Sequence, residues 1–249
     1  MKYWKAFARS VVAFCMLALA LAGCIAASQE PVAYDAVVVS QGAGGNHESN
    51  GWVITLSRAD VALGPFYFCA AASGSSTLCA SSIAEVASVR VVDALAPSPS
   101  PLGRVHGFSG NIQSVSYDFG ISWFDTQTAA TPAPALFGGH SMRLEGEARK
   151  GTMLVPFTAD VDVVPQYQGQ NAISTGTAVG SVESSATRLE VLLDPASWMR
   201  QVDFDAIAAK VGSSGKAVFA IEPGMEEHGA VLVGVKNLAP PELRWVAAP

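Results

Sequence analysis

The dominant pattern along this chain is an alternation of apolar and polar positions with a period of two. In residues 113–123, large apolar side chains occupy every second position from Val115 to Trp123, and the positions between them are small or polar. Because successive side chains of a strand point to opposite faces, this pattern predicts a half-buried strand with an aromatic face. We expect Ser116 and Ser122 to face away from the core.

A second alternation predicts a long β-hairpin. It runs through residues 142–148, is interrupted by Lys150-Gly151 as a turn, and resumes in residues 153–163. Other short segments with turn-rich flanks are further strand candidates: Tyr34–Val39, Gly51–Ser57, Pro65–Cys69, Val86–Val92, Thr187–Leu193, Ala217–Ile221 and Ala230–Val235.

Many short strands separated by Gly, Pro and Ser predict an all-β fold, an antiparallel β-sandwich or barrel-like domain. One or two short helices are expected near residues 195–211, because Asp194 and Asp203 are suitable capping residues. We expect residues 34–249 to form a single domain. The Pro-Ser run at 97–101 is then a surface loop, with a domain linker as the alternative.

The N-terminus carries a different apolar pattern. A cationic head is followed by an uncharged run, residues 11–22, which is too short to span a bilayer and is typical of an export signal. The run ends in Leu21-Ala-Gly-Cys24, which resembles the lipobox of bacterial lipoproteins. The resemblance implies that residues 1–23 are a signal peptide, that Cys24 becomes the lipid-carrying N-terminus with palmitate among its acyl chains, and that residues 24–33 are a short tether. The alternative is an ordinary secretory signal with a chance cysteine.

The net charge and the residue after Cys24 predict the partners and the location of the protein. Cleavage removes three of the fifteen Lys+Arg and none of the twenty-one Asp+Glu, which leaves twelve basic against twenty-one acidic residues. An acidic chain without a basic cluster excludes nucleic acid as a partner. The expected partners are a membrane, contacted through the lipid anchor, and an unknown protein or small-molecule ligand. Because Ile25 rather than Asp follows the cysteine, the resemblance favours the outer over the inner membrane of the cell envelope.

Two cysteines remain after the signal and the anchor are set aside, Cys69 and Cys79. In an oxidising, extracytoplasmic setting an even pair favours a disulfide, and the small, flexible residues 70–78 allow the ends to meet. Two free thiols or a two-cysteine metal site are the alternatives. The metal site is less favoured because neither CxxC spacing nor an adjacent histidine is present.

No intact catalytic motif is present, and we expect a non-enzymatic protein. Residues 139–143 begin like the GxSxG nucleophile elbow, but Arg143 stands where the tight turn needs glycine. The histidines lie beside glycines in predicted loops. His47, His106 and His140 are candidate ligands for copper or zinc, metals that suit imidazole. The alternative is that they are separate exposed loop residues and that no cofactor is bound.

Three further segments carry a resemblance. Residues 51–56, 61–68 and 193–198 are similar to those of secreted lipoproteins of unknown activity in Gram-negative bacteria, and the scattered strand patterns are similar to periplasmic β-rich proteins of copper handling. The expectation is a membrane-anchored lipoprotein with a β-rich binding or structural domain. The alternative is a periplasmic protein that handles copper or zinc through loop histidines.

Overall fold

The computed structural model describes residues 29–41, 46–71, 82–134, 136–215 and 217–247. Its strands are β1 (Pro31–Ser40), β2 (Asn46–Ser49), β3 (Trp52–Leu63), β4 (Phe66–Cys69), β5 (Ala84–Val86), β6 (Arg90–Asp93), β7 (Ser100–Phe108), β8 (Gly110–Tyr117), β9 (Ile121–Ser122), β10 (Thr131–Pro132), β11 (Met142–Lys150), β12 (Met153–Val161), β13 (Ile173–Val182), β14 (Ala186–Leu193), β15 (Phe219–Ile221) and β16 (Glu242–Ala247). The helical segments are two 3-10 helices, Phe137–Gly139 and Pro195–Gln201, the helices α1 (Phe204–Ser214) and α2 (Glu226–Val233), and a π-helical turn, Gly234–Leu238.

Two large sheets form the fold. The first has eight strands in the order β13-β8-β4-β5-β7-β1-β14-β16, and the second has the order β15-β12-β11-β3-β2 with β6 also paired to β3. A small third sheet joins β9 and β10. Most pairs are antiparallel, and the parallel pairs among those described are β1 with β14 and β12 with β15. The predicted all-β, sandwich-like or barrel-like fold is therefore confirmed.

The eight-stranded sheet is strongly curled. Its two edge strands, β13 and β16, approach each other, and a Cβ atom on Gly180 of β13 would lie only 3.1 Å from the ring of Trp245 in β16. Trp245 also reaches the interior, where its ring lies 5.7 Å from that of Phe68 in β4. We call the line along which β13 and β16 approach each other the seam. A β-strand sheet that curls this far encloses space, as a half-barrel does.

One continuous cluster of buried apolar side chains includes residues of both large sheets and of the helices. The predicted hairpin is confirmed as β11 and β12, whose register runs from Met142 opposite Val161 to Lys150 opposite Met153. Helix α1 packs on the second sheet through Phe204, which contacts the rings of Trp52 and Phe157. The residues that cover both sheets therefore include the C-terminal helices.

The prediction of one half-buried strand over residues 113–123 is wrong in two respects. The segment is divided between β8 and β9, which belong to different sheets. Ser116 and Ser122, on the face expected to lie away from the core, are buried as well. The hydroxyl of Ser116 donates a hydrogen bond to the backbone oxygen of Ser174, 2.6 Å away. The register of β13 against β8 shifts at this point, and the irregular strand uses the serine side chain as a donor. Both faces of this segment are covered.

The helices near residues 195–211 are confirmed, with Asp194 and Asp203 accepting hydrogen bonds from the first turns as N-caps. The predicted strand Ala230–Val235 is wrong, because these residues lie in α2 and the π-helical turn. Val231 and Val235 are four positions apart and both fully buried, which is the spacing of one helix face.

Several strands were not predicted, among them β2, β7, β13 and β16. The predicted strand Val86–Val92 is divided between β5 and β6, which belong to different sheets. β1 begins at Pro31, within the segment predicted as a tether. Among the described residues, no helix has the length and apolar character that a membrane crossing requires.

Candidate functional site

A cavity of about 450 Å³ lies where the seam is open. One side is lined by Val115 and Tyr117 of β8 and, at the start of β13, by Ala172, Ile173, Ser174 and Gly176. Lys236 and Asn237 of the π-helical turn line the other side, together with the two prolines that precede β16. We call this space the seam cavity. Polar and apolar groups contribute about equally to its lining.

The π-helical turn is held in place by Trp198, which lies in the 3-10 helix that Asp194 caps. A Cβ atom on Gly234, the first residue of the turn, would lie 2.1 Å from the backbone oxygen of Trp198, so only glycine fits there. At the other end, the indole N–H of Trp198 donates to the backbone oxygen of Ala239, 2.8 Å away. Trp198 is fully buried. Both ends of the turn that carries Lys236 are thereby fixed.

Lys236 differs from the other lysines that the structure describes. Lys150 lies 2.9 Å from Asp205, and Lys210 lies 2.5 Å from Glu227. No described carboxylate lies within ion-pair distance of Lys236. Its side chain is partly buried, and this burial lowers the pKa of the Lys236 ammonium below its usual value. The seam cavity therefore contains a partly desolvated positive charge that has no counter-ion in the described part of the chain.

A buried carboxylate supports the opposite wall. Asp118 accepts hydrogen bonds from the backbone N–H of Ala172 (2.6 Å), the amide of Asn171 (3.0 Å) and the hydroxyl of Ser122 (2.8 Å). Burial raises the pKa of Asp118 to about 6 although these three donors act in the other direction. Ala172 lines the seam cavity. Asp118 thus fixes the chain that leads into β13.

The histidines predicted as metal ligands occupy different elements. His47 lies on β2, where its Nε2 accepts from the side chain of Arg200 (3.4 Å) and its Nδ1 faces the hydroxyl of Ser197 (3.5 Å). His106 lies exposed on β7, opposite Glu85 of β5. His47 and His106 belong to different sheets and are in strands, not in the predicted loops.

His140 belongs to a local polar network. Its Nδ1 lies 2.8 Å from Asp162, and the backbone N–H of Asp162 donates to Nε2 of His228 (3.2 Å). His228 is buried in α2, and this burial lowers the pKa of its imidazole, which favours the neutral ring that accepts this hydrogen bond. Asp160, which lies 4.0 Å from His140, is held by Arg143. Each of these groups has a protein partner.

Within the part of the chain that the structure describes, no group of three or more His, Cys, Asp or Glu side chains is arranged to hold a metal ion. The site formed by His47, His106 and His140 stays a prediction. Cys24 and Cys79 lie outside the described residues, whereas Cys69 ends β4 and is buried. The lipid anchor and the Cys69–Cys79 disulfide therefore also stay predictions.

Comparison with known proteins adds little. No protein-family model and no curated protein sequence matches this chain. Among solved structures it is similar to MbnP from Methylosinus trichosporium, with 12% sequence identity and a TM-score of 0.34. The similarity covers 71% of this chain and 79% of MbnP. At this level the likeness carries no argument about function, and the site is interpreted from its own residues.

The sequence did not point to Lys236. Its one local signal is a single cation, between Val235 and Asn237, shortly before Pro240 and Pro241. No spacing relates it to Ile173 or Val115, which face it only because the sheet curls and brings its first and last strands together. The Asp194–Trp198 segment was singled out by its sequence, and its structural role is to position the turn that carries Lys236.

Proposed function

We propose that this protein is a lipid-anchored, non-enzymatic protein of the cell envelope whose β domain binds a small molecule in the seam cavity. The observation that carries the binding proposal is the seam cavity itself, about 450 Å³ in volume and lined by elements that are fixed at both sides. Pockets of this size hold small organic molecules, and polar groups at a few positions fix their orientation. The export signal and lipobox support the envelope location.

The walls of the seam cavity are held in place by the protein's own hydrogen bonds, which favours ligand binding. Trp198 fixes the turn on one side, and Asp118 fixes the start of β13 on the other. A site that is already formed does not lose binding free energy to the ordering of loops. Metal handling, the alternative expectation, has no comparable arrangement among the described residues.

The test is NMR titration of the purified protein with two probes, 3-phenylpropanoate and its amide, 3-phenylpropanamide. Ser174→Trp and Asn237→Trp place a large ring in the seam cavity from opposite sides, and either one is sufficient if the other impairs folding. Ser184→Trp, at an exposed turn, is the matched control. At least one probe is expected to bind saturably to the wild type and the control and not to the filled variants. Equal binding by all four proteins, or no binding by the wild type, would contradict the proposal.

We also propose the Cys69–Cys79 disulfide, which would close a loop of about 11 residues and stabilise the fold by roughly 2–3 kcal/mol. Burial of Cys69 at the end of β4 is compatible with it. Mass spectrometry of the exported protein under non-reducing conditions should show a mass two hydrogens below that of the dithiol. Alkylation of both cysteines without prior reduction would exclude the bond.

A further inference from the structure

We infer that the seam cavity selects organic acids with a single carboxylate group, which Lys236 holds against an apolar body. The inference rests on the proposed function and names its ligand class. It begins from the positive charge of Lys236, which has no carboxylate partner among the described residues and is partly removed from water. A charge in that position gains most from a ligand of opposite sign, because the ion pair forms where water screens it less than at the surface.

The number of charges limits the ligand to one negative group. Among the described residues that line the seam cavity, Lys236 is the single cation and none is Asp or Glu. A dianion such as phosphate would keep an unpaired charge in the cavity. An amino acid would bring an ammonium group with no carboxylate to receive it. The lining therefore disfavours dianions and amino acids. The site would select its ligand by rejecting these competitors as well as by attracting a monoanion.

The apolar part of the lining suits an acid that has an apolar body. Val115, Tyr117 and Ile173 face the cavity from the strands, and the two prolines before β16 face it from the other side. Tyr117 is stacked on Phe66, with ring centroids 5.0 Å apart, so this wall is rigid and aromatic. Burial of apolar ligand surface against such walls is favourable in proportion to its area.

Asn237 completes the recognition of the acid group. It follows Lys236 directly in the π-helical turn and lines the same cavity. Its amide N–H groups are donors that suit the second oxygen of a carboxylate. A primary amide ligand has one oxygen acceptor and no charge, and therefore gains less from this pair of residues.

Three compounds with one carbon skeleton test the inference: 3-phenylpropanoate, 3-phenylpropanamide and phenylalanine. In NMR titrations of the wild type, the acid should bind about tenfold more tightly than the amide, the difference expected for a hydrogen bond to a charged group. Phenylalanine should bind no better than the amide. Lys236→Met should abolish the preference for the acid, and Lys236→Arg should retain it. Arg90→Met removes one exposed charge on the other sheet and should leave the preference unchanged.

The outcomes separate this inference from the proposed function. If the acid and the amide bind equally and the filled variants lose both, the cavity binds ligands but the acid selectivity is wrong. If neither compound binds the wild type, the binding function fails as well. Displacement of 3-phenylpropanoate by inorganic phosphate at equal concentration would overturn the requirement for an apolar body and a single charge.

Discussion

Asp118 gives the sharpest stability test in this structure. Its side chain is almost fully buried, with 1% of the residue exposed, and its hydrogen-bond donors are all uncharged. Burial raises the pKa of Asp118 from 3.8 to about 6. The folded protein therefore holds this proton more tightly than the unfolded chain. The resulting stabilisation is fully present below pH 3.8 and is lost as the pH rises through about 6.

The size of the effect follows from the two pKa values. Their difference corresponds to about 3 kcal/mol at most, since one pKa unit is about 1.4 kcal/mol. Between about pH 7.5 and about pH 4 the expected change is about 2 kcal/mol, because at the lower pH the unfolded carboxyl is partly protonated too. Glu190 and Glu227 act in the opposite direction. Burial alone would raise their pKa values, but the adjacent arginines and Lys210 bring them below the usual range.

The comparison with Asp118→Asn isolates the contribution of Asp118. Asparagine keeps the shape and an oxygen that accepts from Ala172, and it does not titrate. Urea unfolding followed by tryptophan fluorescence gives the free energy of unfolding of both proteins at each pH. The wild type should gain about 2 kcal/mol relative to the variant between about pH 7.5 and about pH 4. A difference that stays constant within about half a kcal/mol would refute the reasoning. Asp35→Asn makes the same chemical change at an exposed position and is the control.

Three further changes test other parts of the account. Cys24→Ser should move the protein from the membrane fraction to a soluble or uncleaved form, and unchanged fractionation and migration would contradict the lipoprotein resemblance. Phe119→Ala should lower the free energy of unfolding by about 3–5 kcal/mol, since Phe119 is fully buried. Ser116→Ala should cost about 1–2 kcal/mol through its lost hydrogen bond, and a urea midpoint equal to that of the wild type would exclude that role. Trp198→Phe should weaken binding of 3-phenylpropanoate severalfold in NMR titrations while the protein stays folded, and wild-type affinity would mean that the indole does not position Lys236.

The sequence predicted the features that depend on residues close together in the chain. The hairpin of β11 and β12 follows from strict alternation around Lys150-Gly151, and the register confirms it. The cap at Asp194 was recognised because its partners are within three positions. α2 was mistaken for a strand, since an apolar run with valines and a glycine has no clear helical period until the packing of Val231 is known.

Features that depend on the curl of the sheet could not be predicted. β13 is rich in Gly, Ser and Thr, and nothing in its composition indicates that it forms an edge strand beside β8. The burial of Asp118 and Ser116 results from that neighbour, not from their own pattern. Lys236 becomes part of a binding site only because β8 and the start of β13, which are far from it in the sequence, form the facing wall.

The position of β1 has a consequence for how the chain reaches its final structure. β1 lies between β7 and β14, and Asp35 pairs with Arg188 in the parallel register of β1 and β14. Contacts between positions that are far apart in the sequence form slowly. β1 therefore keeps one edge unpaired until β14 (Ala186–Leu193), far along the chain, joins it. A truncation before Ala186 removes both β14 and β16 and leaves β1 at the edge of the remaining sheet.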